Sequence, residues 1–243
     1  MMPTNTILTK ATTISFWHRL LDLISPRACV ICGRRLSISE EVICGTCDLH
    51  LPRTGYASNP YDNEMAKRFY GRIPIERAAA LFFYEGGSEV SRIIFQLKYH
   101  GHPEIGVEMG RRTAAEWTES DFFDGIDAIV PVPLARKRER ERGYNQSMEI
   151  ARGVAEVTGL PVWSRVVRRK KFSGSQTHLG QLGRLENVAE AFELIDGDML
   201  RGKHILIIDD IVTTGATIHA CVNAMKSVEG LRVSVLSLGV TKG

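Results

Sequence analysis

Residues 204–218, HILIIDDIVTTGATI, run four consecutive aliphatic side chains, Ile205 to Ile208, directly into two adjacent carboxylates. An apolar run without polar alternation suits a strand buried on both faces, as in a parallel sheet. Burying both faces requires helices on both sides, so this stretch alone points to the α/β class. Asp209 and Asp210 then stand at the carboxyl end of the strand, the edge of an open parallel sheet where ligands bind. Two like charges side by side are costly in a core, so a ligand is expected to face them.

The residues that follow narrow the ligand. Thr213, Thr214, Gly215 and Thr217 form a turn into a predicted helix from Ala216 to about Val228. Backbone N–H groups converging at such a helix start, with hydroxyls beside them, make a phosphate cradle, and Gly215 allows close backbone approach. Carboxylates repel phosphate, whereas the turn attracts it. A ribose 5-phosphate satisfies both, its 2- and 3-hydroxyls donating to the acids and its phosphate resting in the turn. The pattern G-x-x-x-x-G-K-[ST] is absent from the sequence, so a P-loop hydrolase is not supported.

Elsewhere strand and helix signals alternate. Arg77–Tyr84 reads as a strand, and Ser88–Gly101 as a helix with a Ser cap and Val90, Ile93, Ile94 and Leu97 inward. Glu104–Trp117 reads as a helix, Ile126–Pro133 as a strand, and Asn145–Gly159 as a helix with Met148, Ala151, Val154 and Ala155 inward. RVVRR and AFELI are strand candidates on either side of a long polar loop, Lys171–Arg184, and RVSVLSLGV is the last strand. Between Pro133 and Gly143 lies a mixed-charge stretch, ARKRERER, read as a solvated turn or as a basic anion contact. This order implies βαβ units.

Four of the five cysteines form Cys29-x2-Cys32 and Cys44-x2-Cys47, separated by eleven residues. That spacing suits tetrahedral Zn²⁺ in a structural, closed site, with Gly33 and Gly45 helping the knuckles. Thiols kept reduced for metal imply a cytoplasmic protein. Cys221 falls on the apolar face of the last helix and reads as core. Arg27, Arg34, Arg35 and Arg53 make the module modestly basic, compatible with nucleic acid or with a solvated surface. The segment Thr54–Glu64 reads as a linker or surface loop.

Net charge of +3 demands no particular partner, and no apolar run approaches the length of a membrane span. Near the start, Phe16, Trp17, Leu20, Leu21 and Ile24 share a helical stripe. The expected organisation is an amphipathic helix over 1–25, a zinc-ribbon module over 26–70 and the α/β domain over 75–243.

The acid pair followed by Thr-Thr-Gly-x-Thr resembles the phosphoribosyl-pyrophosphate (PRPP) signature of type I phosphoribosyltransferases. The wider pattern resembles the ComF, or competence protein F, family. It comprises Lys98, Tyr99 and Gly101; Pro131 and Pro133; Arg142, Gly143, Tyr144, Asn145 and Gln146; Gln176, Leu179, Arg184 and Asn187; and Asp209 to Thr217. Tyr144 stands where the family often has Phe. The resemblance implies a type I phosphoribosyltransferase-like parallel sheet flanked by helices, with a small N-terminal zinc ribbon. It implies PRPP bound with Mg²⁺ by Asp209, Asp210, Val212, Thr213, Thr214, Gly215, Ala216 and Thr217. Catalysis would rest on Asp209, Asp210 and Arg142, with Arg142 or basic residues of the loop from Arg168 to Asn187 on pyrophosphate. A hood loop bearing Lys171, Gln176, Arg184 and Asn187 would close over the site. Transfer to an unidentified nitrogen acceptor and a role in DNA uptake beside competence proteins are implied. The other reading is a non-catalytic PRPP sensor or a single-stranded-DNA-binding partner.

Overall fold

The computed structural model describes residues 27–170 and 191–242. The expected N-terminal helix and the hood residues Lys171, Gln176, Leu179, Arg184 and Asn187 lie outside the described residues. Six strands are described: β1 (Ala78–Tyr84), β2 (Ala128–Pro131), β3 (Val167–Arg169), β4 (Phe192–Leu194), β5 (His204–Val212) and β6 (Arg232–Thr241). The helices are α1 (Gly45–His50), α2 (Glu64–Lys67), α3 (Glu89–Tyr99), α4 (Pro103–Glu116), α5 (Arg136–Arg142), α6 (Gln146–Thr158) and α7 (Ala216–Ala224).

Four strands form a parallel sheet in the order β1-β6-β5-β2, while β3 and β4 pair antiparallel on their own. Ile205 to Ile208 are all fully buried, as a central parallel strand requires. Leu206 and Ile208 pack with the buried residues of α3, α4 and α6, and Ile205 and Ile207 with those of α7. That alternation is the strand's period of two dividing the core into a layer on each face. β5 does not stop at Ile208. It continues through both acids to Val212, because β6 is long enough to pair with it as far as Val240.

Helix α6 is built as its sequence suggests at both ends. Asn145 caps it by accepting from Ser147 N–H at 3.1 Å, and Gly159 ends it with φ of +73°. Ile150 and Val154 are fully buried, each burial stabilising by about 1.5–3 kcal/mol. The inward face departs from expectation, since Gln146, Ser147 and Glu149 are buried whereas Met148 is only partly so. α6 crosses α4 at backbone contact: a Cβ on Gly153 would meet Val107 O at 1.9 Å. α7 ends at Ala224, a turn short of expectation, and buries Cys221 fully.

The cysteine segment shares the core of the sheet. Ile31, Val42, Ile43 and Leu51 are continuous with Leu81, Phe82, Ile93 and Leu97. Arg53 bridges Phe82 in antiparallel fashion, and Thr54 N–H donates to Leu81 O at 3.1 Å, covering the free side of β1. Arg53 also reaches Asp48 at 2.8 Å and Glu116 of α4 at 3.1 Å, and Arg112 of α4 reaches Asp48 at 3.1 Å. The stretch 54–64, read as a linker or surface loop, is a surface loop seated on the sheet. Ala57 is buried, and Asn63 caps α2 while donating to Ala78 O at 2.7 Å. Its Gly, Asn and Ser content serves capping and tight turns rather than looseness. Among the described residues no helix is long and apolar enough to cross a membrane.

Candidate functional site

At the carboxyl edge of the sheet a cleft of about 370 Å³ is lined by Asp209 and Asp210 together with Thr213 and Thr217 of the turn. Lys98, Gln146, Ser147, Arg138 and Arg169 complete its polar wall. The acids lie within a regular strand and are only 8% and 5% exposed, so their direction is fixed by the sheet. They find different partners. Gln146 Nε2 donates to Asp210 Oδ2 at 2.8 Å, and Lys98 Nζ approaches the same oxygen at 3.1 Å. Ser147 Oγ donates to Asp209 Oδ1 at 3.1 Å, and the same oxygen accepts from Asp210 N–H at 2.9 Å.

Helix α6 thus delivers two donors from its first turn, and Asn145 anchors that turn by donating to Val132 O at 3.0 Å. The motif of residues 142–146 acts here as a helix start that grips the acid pair. Burial, and next the charge of Asp210, push the Asp209 carboxyl up to about 7, against the opposing hydrogen bonds from Asp210 N–H and Ser147. An acid held there gains most from a ligand that donates to it.

The turn is shaped by Gly215, whose φ of +79° lies in the left-handed region. A Cβ there would also meet the Phe69 ring at 2.8 Å, so the close neighbour that demands glycine is a core aromatic. Val212 places its side chain in the core, leaving only its main chain for a ligand. Ala216 opens α7 and its N–H donates to Thr214 Oγ1 at 3.4 Å. Thr213 and Thr214 are exposed.

Arg142, expected on pyrophosphate, does not line this cleft. It belongs to the adjoining cavity with Lys98, Tyr99 and Arg138. Its guanidinium donates to Gln146 Oε1 and sits 5.9 Å over the Tyr99 ring, so it orients the carboxamide that holds Asp210. Gly143, with φ of +89°, ends α5, and the Tyr144 hydroxyl donates to Leu97 O. The mixed-charge stretch is the short helix α5 rather than a turn, and it carries Arg138 to the cleft. Ser147 was not singled out from sequence, whereas Arg138 lay in the basic stretch before Gly143 and Arg169 at the head of the basic loop. Ser147 had a signal, its place in the first turn of a capped helix beside a strand end. The charge of Arg169 was visible in sequence, but the β3–β4 pairing that carries it to the cleft was not.

The sulfur atoms of Cys29, Cys32, Cys44 and Cys47 all lie within 4.8 Å of one another. Cys32 Sγ and Cys44 Sγ are 3.8 Å apart, which is about the edge of a tetrahedron with a metal–sulfur bond of about 2.3 Å. Cys44 N–H points at Cys29 Sγ at 3.4 Å, and Cys47 N–H at Cys44 Sγ at 3.4 Å. Burial raises the Cys29 thiol, but backbone hydrogen bonds at Cys32, Cys44 and Ile31 overcome it and hold the group down to about 6. Burial and the neighbouring sulfurs push the Cys47 thiol up instead, a crowding of sulfur charge that a bound cation would relieve. His50 turns instead to Thr46 O at 2.7 Å.

A family model described as phosphoribosyl transferase domain matches residues 107–238, more than half of the chain. The chain belongs to the phosphoribosyltransferase family. Relatives of this phosphoribosyltransferase-family chain are named for DNA utilization or for competence, in line with the ComF resemblance. It is 28% identical over 206 residues to DNA utilization protein YhgH of Salmonella typhi, covering 81% of this chain and 89% of that protein. Competence protein F of Haemophilus influenzae is 31% identical over 94 residues, 38% of this chain and 41% of that one. Competence protein ComFC of Bacillus subtilis is 25% identical over 199 residues, 82% and 71%. Among solved structures, glutamine PRPP amidotransferase from B. subtilis is similar with a TM-score of 0.41 and 19% identity. That match covers 59% of this chain and 30% of the other.

Proposed function

We propose that the cleft binds PRPP with Mg²⁺ and that the chain transfers the phosphoribosyl group to a nitrogen acceptor. The observation that carries this reading is the placement of Asp209 and Asp210 in one cleft with Thr213 and Thr217. The carboxylates accept from the ribose hydroxyls, and the turn between Val212 and Thr217 receives the 5-phosphate on its amides and hydroxyls. As the C1–O bond breaks, its electron pair leaves on pyrophosphate and positive charge grows on the sugar. Two buried carboxylates stabilise that charge. Mg²⁺, when bound with the substrate, would supply charge neutralisation to the departing pyrophosphate. The acceptor nitrogen supplies the electron pair of the new C1–N bond and releases its surplus proton to solvent. Arg138 and Arg169 stand nearer the cleft than Arg142 and are the cations for pyrophosphate. Zn²⁺ is the ion suited to the four cysteines, and thiols kept for metal fit a cytoplasmic protein.

Titration calorimetry with PRPP and Mg²⁺ tests the reading. The expected result is a binding heat lost in Asp209→Ala and Asp210→Ala, with pyrophosphate released when an acceptor is supplied. Absence of heat in the intact chain rejects it.

The names of the relatives support a second reading, a part in DNA handling during competence with PRPP as a signal rather than a substrate. Salt-sensitive binding of single-stranded DNA, with PRPP heat but no pyrophosphate release in cell extract, would favour it.

A further inference from the structure

We propose that Arg68 is a positioning residue for the turn between Val212 and Thr217, and that it makes this turn select a phosphate dianion over a singly charged ester of the same shape. The inference rests on the phosphoribosyl reading of the acid cleft and adds what sets the charge of the group held there. Its residues lie outside the 107–238 stretch that the family model matches.

Arg68 follows α2 directly and is half-buried. Its guanidinium spans the ends of two neighbouring strands. It donates to Val212 O, the last carbonyl of β5, at 3.5 Å, to Thr241 Oγ1 at the end of β6 at 3.0 Å, and to Thr241 O. The Val212 carbonyl shares a peptide with the Thr213 N–H, the first amide of the turn. In a trans peptide the two point in opposite directions, so a carbonyl held by Arg68 leaves that N–H facing away from it. The next residue, Phe69, is buried, and its ring lies 2.8 Å from where a Cβ on Gly215 would stand. Two consecutive residues therefore brace the turn, one at Val212 and one at Gly215. Asn63 anchors the start of their segment by donating to Ala78 O at 2.7 Å.

The charge of Arg68 supplies the selectivity. Its three acceptors are uncharged oxygens, and among the described residues no carboxylate lies within ion-pair distance of it. Burial pulls the guanidinium below its ordinary range, which the charges of Tyr56 and Glu64 only partly offset. Glu64 is itself taken by Lys67 at 2.9 Å. A half-buried cation without an acid beside it is costly until an anion approaches. Arg68 lines a cavity of about 620 Å³ with Thr213 and Thr214, and Thr213 also lines the acid cleft. The turn thus separates two buried acids from a cation that no acid neutralises. That polarity matches a ligand with hydroxyls at one end and a doubly charged group at the other. Arg68 does not line the acid cleft, so it acts through the peptide it holds and through its field.

The test titrates ribose 5-phosphate and ribose 5-sulfate into the full chain by calorimetry at about pH 8, where the phosphate ester is a dianion and the sulfate ester a monoanion. The intact chain should prefer the phosphate. Arg68→Gln should lower phosphate affinity about tenfold or more and sulfate affinity much less, so that the preference shrinks. Arg68→Lys keeps the charge but not the fork across Val212 and Thr241, and it should weaken both ligands alike with the preference kept. Lys67→Gln, a change at an exposed neighbouring cation, should leave the preference where it was. Melting curves accompany each variant, and if Arg68→Gln does not fold, the intact chain and Arg68→Lys decide. No preference in the intact chain, an equal loss of both ligands in Arg68→Gln, a preference lost in Arg68→Lys, or one that shrinks as much in Lys67→Gln each overturns the inference while leaving the phosphoribosyl reading intact. No heat from either ribose 5-phosphate or PRPP in the intact chain overturns the phosphoribosyl reading, and the role of Arg68 with it.

Discussion

Gln146 Nε2 donates to Asp210 Oδ2 at 2.8 Å while its carbonyl end is held by Arg142. A carboxamide fixed at both ends keeps the acid aimed into the cleft without adding charge. Gln146→Ala leaves Asp210 with Lys98 alone and should weaken PRPP binding roughly tenfold or more, the effect of losing a hydrogen bond to a charged group. Arg142→Ala should produce a smaller loss in the same direction, because it acts through Gln146. Calorimetry on the two single variants and the double variant checks the order. Additive losses would mean that the two residues work separately.

Asp209 sets a pH dependence with opposite signs for stability and binding. Its carboxyl, ordinarily at 3.8, is pushed up to about 7 by burial and by Asp210. Between those values the folded chain keeps a proton that the unfolded chain has released. Its contribution to stability is therefore greatest below about pH 4, declines as pH rises toward 7, and levels off beyond. PRPP needs the ionised acid, so affinity should rise across roughly pH 6 to 8. Ser147→Ala removes a donor to the ionised form and should move this midpoint upward. Denaturant melts and calorimetry across the range follow both arms. Affinity that is flat across that range would remove Asp209 from the binding step.

Gly153→Ala should be among the most damaging small changes. The added methyl meets Val107 O at 1.9 Å, so α6 and α4 must separate. Overpacking of this kind typically costs about 1–3 kcal/mol. Because Gln146 and Ser147 ride on α6, PRPP affinity should fall along with the melting temperature. A variant that melts lower but binds normally would show that the first turn of α6 is held by Asn145 alone.

Gly215→Ala combines a left-handed backbone with a clash against Phe69. Phe69→Leu added to it should restore part of the stability by removing the clash, but not the part owed to φ, which is about 1–2 kcal/mol. A double-mutant cycle by denaturant unfolding separates the two.

Removing metal from the cysteine cluster should destabilise the whole chain. Cys29 and Cys44 are buried in the core that contains Leu81 and Phe82. Chelator, or Cys44→Ser, should lower a single cooperative melting transition by about 10 °C or more. Metal analysis and calorimetric scans measure it, and two separated transitions would contradict a shared core.

Much of this was legible from residues. The unbroken aliphatic run before Asp209 announced a central parallel strand, and Asn145 and Gly159 marked the ends of α6 in their side-chain chemistry. The two cysteine pairs announced the cluster, since ligand spacing is a local property. Other features were set by partners distant in sequence. Whether β5 stops at Ile208 or runs to Val212 depends on the length of β6, and the strand signal alone is blind to that. Composition left 54–64 open between a linker and a surface loop, and only the open side of β1 that captures Thr54 decides for the loop. Arg142 looked like an anion contact because charge is visible in sequence, while its tie to Gln146 depends on how α5 ends at Gly143.

The antiparallel bridge from Arg53 to Phe82, with Thr54 donating to Leu81, has a practical consequence. A fragment cut to begin near residue 75 would keep every acid and threonine of the cleft but bare the main-chain amides and carbonyls along β1. Exposed strand margins of that kind template self-association. The transferase half should therefore precipitate or form higher-order species when expressed without the cysteine segment. Co-expressing that segment as a separate peptide should return it to solution.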